Sequence, residues 1–588
     1  MSEIEKKLNP LKKQVFDDKK IYWLSLLIGV LSGMAALILK NLIHFIGETL
    51  IGNLKISHGN ILFFAFPVIG IIITVLIVRF LIRDDLGHGV TKVLSAISMK
   101  KGHLKAHHTV SSMITSSFTI GFGGSVGGEA PVVLTGAAIG SNLARFFKLG
   151  YTDTMLLLGC GATGAIAGIF KAPLAGIVFT LEVLMLDMTM ASLIPLLISG
   201  ISAAVLAYYF MGEAVLFKFH FVNSFDASNI PFYLLLGIFS GFVSLYFTRM
   251  TMYLEGKFKM IRHQFMRITV GGLGLGLLIF LFPPLWGEGY TSINKVFNGL
   301  GANLLNNSLF FGLENNPWFF ATFLLLLIVF KVIAMTATTA SGGVGGIFAP
   351  SLFVGAIGGY FVAYFANNVF GLNLPLDNFA LAGMGAMMAG VMHAPLLGIF
   401  LTAEITGGYQ LFFPLIIAAT ASYLTIMQFE PHSIYTKRLA LQGDLITHHK
   451  DKAVLHFMEV GELIEKDFEI VPPEATLGDL TKIIARSKRN LFPVVDRDGM
   501  MKGMVKMDDI RKIIFDHDLY DKVYVKDLMY MPEYYISPYD SMHTVAEKFE
   551  SCRRFNLAVI DNGKYVGFIS RARVFSDYRH TMRTMSHD

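Results

Sequence analysis

From Tyr22 to about Met427 the chain is dominated by apolar runs, and many of them are cut short by glycine or proline. Four runs are long enough to cross a bilayer simply, at 22–46, 61–83, 231–254 and 318–337. Seven others, at 109–122, 131–147, 156–170, 174–186, 348–366, 379–392 and 396–406, are short and broken. Broken helices leave backbone groups unpaired, which a membrane tolerates only where they line a cavity or are buried in protein. The pattern therefore predicts an α-helical polytopic membrane protein with a transporter core over residues 21–440. Composition agrees. Only 16% of the 588 residues are charged and 53% are hydrophobic, whereas a soluble chain carries about 25% charged residues. A soluble fold has nowhere to hide that apolar surface.

The ends are different. Residues 1–20 form a polar leader with six lysines, and no cleavable signal peptide is expected. After a linker at 441–454, residues 455–588 have the composition of a soluble α/β tail. Basic residues in the leader, the 92–108 loop and the 255–267 segment place these parts, and the tail, in the cytoplasm by the positive-inside rule. A plasma or bacterial inner membrane is the expected location. The net charge of +6 is spread over short loops, so it speaks to topology and not to nucleic acid. Cys160 and Cys552 stand in unlike surroundings and form no disulfide framework.

Two repeats organise the chain. Sliding the membrane block by 222 residues lays Gly161, Gly168, Ala172, Pro173, Gly176, Thr180 and Glu182 on Gly383, Gly390, Ala394, Pro395, Gly398, Thr402 and Glu404. The halves fall at about 60–210 and 231–430, and such repeats put the substrate near the midplane where they meet. The tail repeats at about 65 residues: NLFPVVD (490–496) parallels NLAVID (556–561), giving units at 455–518 and 519–588.

The chemistry lies in two Gly-rich runs, GGSVGGEAP (123–131) and SGGVGGIFAP (341–350). Such a run at a helix start exposes backbone N–H groups, and the helix dipole adds about half a positive charge there. Several starts converging at the midplane hold a small anion with weak donors and let it leave again. Neither run fits a nucleotide loop. Glu129, inside the first run, is a tethered competing anion: ionised it blocks the site, protonated it swings out.

These runs resemble motifs of the CLC family of chloride channels and proton-coupled chloride antiporters. GGEAP resembles the gating-glutamate motif, which makes Glu129 the gate and Gly128 a backbone donor. GIFAP resembles the motif that makes Phe348 pore-lining, with the N–H groups of Ile347 and Phe348 facing the ion. Tyr435, in PHSIYTK, resembles the tyrosine that coordinates the central anion, and GHGVT puts His88 where the family usually has serine. Either His88 is a neutral donor, or its protonation raises anion affinity as pH falls. The resemblance covers about residues 22–440 and implies an inverted-repeat CLC-type fold, voltage-gated or antiport transport of chloride or a similar anion, and a homodimer with one anion path per subunit. Ala130 replaces the motif's second glycine, a small change at the backbone.

A further departure bears on coupling. Antiporters of the family often carry a glutamate after the first repeat's Glu, but here the pair reads Glu182-Val183. Channel and antiporter both stay open. Glu182 and Glu404 are also candidate helix braces. The fluoride-selective branch is disfavoured by Tyr435 and the GIFAP motif. Lys331, alone in an apolar run, is read as a minor electrostatic contributor. His103, His107 and His108 have no carboxylate or cysteine beside them, so no metal site is expected.

The tail resembles a tandem of cystathionine-β-synthase (CBS) domains, which implies an adenosine nucleotide as candidate ligand. Each copy is half degenerate: Asp509 is kept with Lys506 in place of the hydroxyl, and Ser570 with Arg573 in place of the acid. A ligand-free structural tail is the equal alternative, and no cofactor is required. Two other classes compete. A CBS-regulated divalent-cation transporter needs several converging carboxylates, and an enzyme needs a nucleophile–base pair or a metal motif. The sequence supports neither.

Overall fold

A computed structural model describes residues 3–51, 61–186, 190–212, 217, 225–306, 308–313, 316–442, 455, 458–552 and 554–585. The chain divides into two compact units, 1–445 and 446–588.

The first unit is helical. In order its helices are α1 (Glu3–Ile51), α2 (Leu62–Ile77), α3 (Gly89–Met99), α4 (Ser111–Gly121), α5 (Glu129–Phe146) and α6 (Tyr151–Phe170). There follow α7 (Pro173–Glu182), α8 (Met190–Met211), α9 (Ile230–Met260), α10 (Gln264–Leu281), α11 (Tyr290–Phe297) and α12 (Pro317–Ala340). The unit ends with α13 (Phe348–Phe370), α14 (Leu376–Met392), α15 (Pro395–Thr406), α16 (Phe412–Met427) and α17 (Ile434–Gln442). Among the described residues eight helices are long and apolar enough to cross a membrane. The four simple runs match α1, α2, α9 and α12, and the broken runs match α4–α7 and α13–α15. Two of the runs read as short, in α6 and α13, belong to helices of 20 and 23 residues. Their glycines do not end them, and several of these glycines stand where another helix crosses. A Cβ on Gly161 of α6 would lie 1.9 Å from the Gly136 carbonyl oxygen of α5, and one on Gly136 would lie 2.1 Å from that of Gly161. In the second half Gly355 of α13 and Gly383 of α14 cross in the same way, at 2.4 and 2.3 Å.

The 222-residue repeat is therefore structural. Lys171 and His393, one repeat apart, both take left-handed backbone (φ 58° and 55°) at the breaks between α6 and α7 and between α14 and α15. Proline at the first position of α7 and of α15 then starts the next helix. The halves are tied by reciprocal bonds. Glu182 accepts from the N–H groups of Leu396 and Leu397 (3.1 and 2.8 Å), and Glu404 from those of Leu174 and Ala175 (3.2 and 2.8 Å). Each glutamate, near the end of its own helix, thus caps the start of the repeat mate's, where free N–H groups and the dipole favour a carboxylate.

The second unit holds two sheets. Strands β1 (Leu491–Val495) and β2 (Met501–Lys506) pair antiparallel. Strand β3 (Tyr535–Ile536) runs parallel to β4 (Asn556–Asp561), which pairs antiparallel with β5 (Lys564–Ser570). The 65-residue repeat shows in register: a parallel bridge joins Val471 to Val494, and Ile536 pairs with Val559.

Candidate functional site

The site is built where the two Gly-rich runs meet. Gly127 and Gly346 exchange backbone hydrogen bonds of 2.9 and 2.7 Å, so the chain is pinned just before α5 and just before α13. Threonines of the neighbouring helices reinforce the pairing. Thr338 of α12 accepts from the Ser125 N–H (3.2 Å), and Thr119 of α4 from the Val344 N–H (3.0 Å). Two helix N-termini thereby face one region, with Glu129 and Phe348 as their first residues.

Glu129 is buried, at 1% exposure. Its Oε1 accepts a hydrogen bond from the Tyr290 hydroxyl of α11. The backbone N–H of Ala349, in the first turn of α13, brings its positive end to the same carboxyl. Oε2 has no hydrogen-bond partner among the described residues. Space there is minimal: a Cβ on Gly127 would sit 2.0 Å from Oε2 and 2.9 Å from the Ala349 side chain, so only glycine fits. The carboxylate lies between the starts of α5 and α13.

Phe348 is buried and stacks on Phe170, with ring centroids 5.6 Å apart, and Ile347 is buried beside it. Tyr435 of α17 is also buried, and its hydroxyl has no hydrogen-bond partner among the described residues. A buried hydroxyl left unpaired costs about 1–3 kcal/mol, which an acceptor or anion beside it recovers. Gly128, expected to offer its N–H to the anion, donates it to Glu288 Oε1 instead, at 3.1 Å.

His88 turns Nε2 to Glu255 Oε1 of α9 (3.3 Å), so a neutral ring donates its one hydrogen there, and Nδ1 has a hydrogen for an anion only when the imidazole is protonated. Arg438, one turn after Tyr435, holds the same Glu255 oxygen at 2.6 Å. His88, Glu255 and Arg438 line a cavity of 620 Å³. Its wall also carries Lys92, Lys100, Lys259 and Arg267, so the two basic segments of the sequence converge on one mouth. Five cations against two acids, Asp85 and Glu255, make this mouth attractive to anions.

Three residues of the site are not among the sequence candidates: Tyr290, Glu288 and Glu255. The first two share the motif WGEGY (286–290), whose glycine-flanked carboxylate and aromatic are a usable signal. Lys331 braces this turn from behind. Its ammonium donates to the Gly287 and Leu285 carbonyls (2.8 and 3.3 Å) and lies 5.0 Å from the Phe353 ring centroid.

The histidine loop departs from expectation. A carboxylate does accompany His107 and His108: Asp84, brought in from the turn before α3. Its Oδ2 accepts from Lys105 Nζ and faces His107 Nε2, each at 2.9 Å, while His108 Nε2 stands 4.0 Å off. Partial burial pushes the Asp84 carboxyl up, but the bonds from Lys105 and His107 outweigh it and bring it down to about 2. A metal ion there would have to displace the Lys105 ammonium.

In the tail, Ser570 and Arg573 line a cavity of 420 Å³ with Glu462, Glu465, Asp467 and Arg489, and Lys506 and Asp509 are not among its lining residues. The Ser570 hydroxyl donates to Glu465, and Arg489 bridges Glu465 and Asp467 at 2.6 and 2.7 Å. The Arg489 bond holds the Asp467 carboxyl below the usual range. Lys506 instead lies 4.8 Å from the Tyr530 ring centroid, and Asp509 is exposed.

Known proteins resemble this chain in sequence and fold. The family model described as voltage gated chloride channel matches residues 69–426, more than half of the chain, and the CBS domain model matches 460–516 and 525–579. A putative chloride channel protein ClcB-like of Ralstonia nicotianae is 31% identical over 365 residues, which cover 60% of this chain and 80% of that one. The H(+)/Cl(-) exchange transporter ClcA of Vibrio cholerae is 28% identical over 435 residues, covering 71% and 89%. A crystal structure of a slow cyanobacterial Cl−/H+ antiporter superposes with a TM-score of 0.61 at 20% identity, covering 72% of this chain and 97% of that one, which shows a shared fold.

Proposed function

The chain belongs to the voltage-gated chloride channel (CLC) family and carries a tandem CBS pair, and on that premise we propose that it moves chloride or a similar small anion across a membrane, gated by Glu129. The observation that carries this reading is the Glu129 carboxylate itself, buried between two glycine-rich helix starts in an anion's place. Ionised, it fills the site and accepts from Tyr290. Protonated, it loses most of its attraction to the helix starts and can leave. The anion then meets the N–H groups at Ile347 and Phe348, the Tyr435 hydroxyl and, when the imidazole is protonated, His88 Nδ1, and the cation-lined cavity feeds it. By the positive-inside rule that cavity and the tail face the cytoplasm. The working unit on this reading is a homodimer with one anion path per subunit. An adenosine nucleotide is the proposed ligand of the tail, although Ser570 is already engaged by Glu465.

Because Glu129 must take up a proton to open, transport is either coupled to protons or passive through a proton-gated path. One observation favours uncoupled conduction. Val183 is buried where an inner proton acceptor would stand, and its neighbour Glu182 is committed to capping α15.

The test is chloride and proton movement from the same liposomes, driven by an outward chloride gradient. Uphill proton movement that vanishes in Glu129→Gln supports coupling through the gate, and chloride flux without proton movement supports the channel reading. No flux of either ion in the parent protein would refute anion transport.

A further inference from the structure

Glu288 follows a turn that is held in place from two sides. Lys331, itself buried, donates to two carbonyls of that turn, and the Glu288 carboxylate accepts from the Gly128 N–H, one residue before the gate. A carboxylate held by one N–H, with no basic side chain at contact distance among the described residues, is expensive to place here. The charged and titratable groups that act on it come from several elements. They are Glu129 of α5, Lys40 of α1, Lys331 of α12 and, on its own segment, Tyr290. Glu129 in turn faces Tyr290, Glu288 and Tyr435. The gate is thus one of two acids set among two lysines and two tyrosines.

We propose that Glu288 is a positioning residue of the gate: a second carboxyl, bonded to the Gly128 N–H beside it, whose charge opposes those of Lys40 and Lys331 and so sets the pH at which Glu129 releases the path. The inference rests on the reading of Glu129 as the gate. Its sign follows from charge. With Glu288 ionised, a like charge opposes ionisation of Glu129 and promotes opening. Without it, two unbalanced lysines favour the ionised, blocking carboxylate. Glutamine at 288 keeps an oxygen for the Gly128 N–H and removes only the charge, so the pH effect separates from a packing effect.

The experiment is the pH profile of chloride efflux from liposomes holding the full-length protein, for the parent, Glu288→Gln, Glu288→Asp and Glu129→Gln. Loss of a like charge at this range is worth roughly one pH unit or more, about tenfold in proton concentration. Glu288→Gln should move the half-activation pH down by that amount, and Glu288→Asp should stay close to the parent. A midpoint that overlays the parent or moves up in Glu288→Gln overturns the inference. Should Glu288→Gln fail to reconstitute, the size-matched pair Glu288→Asp and Glu288→Asn decides: a lower midpoint for Asn supports it, and equal midpoints overturn it. A profile abolished by Glu129→Gln but untouched by every Glu288 variant sinks this inference alone. No flux in the parent sinks the gate reading and this inference with it.

Discussion

Tyr290→Phe tests the gate most cleanly, because it removes one hydroxyl and little else. The ring sits edge-on to Phe217, 5.4 Å between centroids, and phenylalanine keeps that contact. What goes is the O–H donated to Glu129 Oε1, while Oε2 has no bond to take up the loss. A hydrogen bond to a charged group contributes about 1.5–3 kcal/mol, and each pH unit of displacement corresponds to about 1.4 kcal/mol. The bond favours the ionised carboxylate, so its loss lets Glu129 protonate at lower proton concentration. The half-activation pH of chloride efflux should therefore rise by roughly one to two units. That is opposite in sign to the shift expected of Glu288→Gln, and a rate change without a midpoint shift would not count. A midpoint that is unmoved, or that falls, would mean that the Tyr290 bond does not hold the closed state, and the seating of Glu129 described above would be wrong.

Glu182→Gln and Glu404→Gln should each lower the unfolding free energy in detergent, by about 1–2 kcal/mol and by similar amounts, since each loses the charge and one of two N–H bonds at a helix start. Unequal losses would break the two-fold account. Gly161→Ala should prevent folding, read as loss of the monodisperse peak on size-exclusion chromatography, because its Cβ would lie 1.9 Å from a backbone oxygen that cannot yield. Arg438→Ala leaves Glu255 buried without its cation and should cost about 3–5 kcal/mol in detergent unfolding, with Arg438→Lys recovering part of it.

The sequence carried as much of the site as its internal symmetry could report. Glu129, Phe348 and the Glu182–Glu404 pair stand in segments that occur twice, and a motif read twice announces itself. The structure turns that doubling into bonds: Gly127 to Gly346, Thr119 to Val344 and Thr338 to Ser125. Apolar periodicity also found the long helices, but it misjudged α6 and α13. A glycine reads locally as a break, whereas its reason here is a second helix crossing at that point. Gly161 needs Gly136, and no local rule shows it. The same limit hid Asp84 from His107, since a loop 23 residues upstream supplies the acid.

Glu288 and Tyr290 were missed for a different reason. They lie outside the segments whose sequences match, so symmetry gave them no echo. The proposed gate is asymmetric, and the residues that make it so are those the repeat does not duplicate. When GGEAP and GIFAP are aligned on Pro131 and Pro350, Phe348 takes the position of Glu129, so the second helix start carries a ring where the first carries a carboxylate. The partners that seat that carboxylate, Tyr290 directly and Glu288 through Gly128, are likewise supplied once. On the proposed reading, two matched helix starts build the anion's place, and three unmatched side chains decide when it is free.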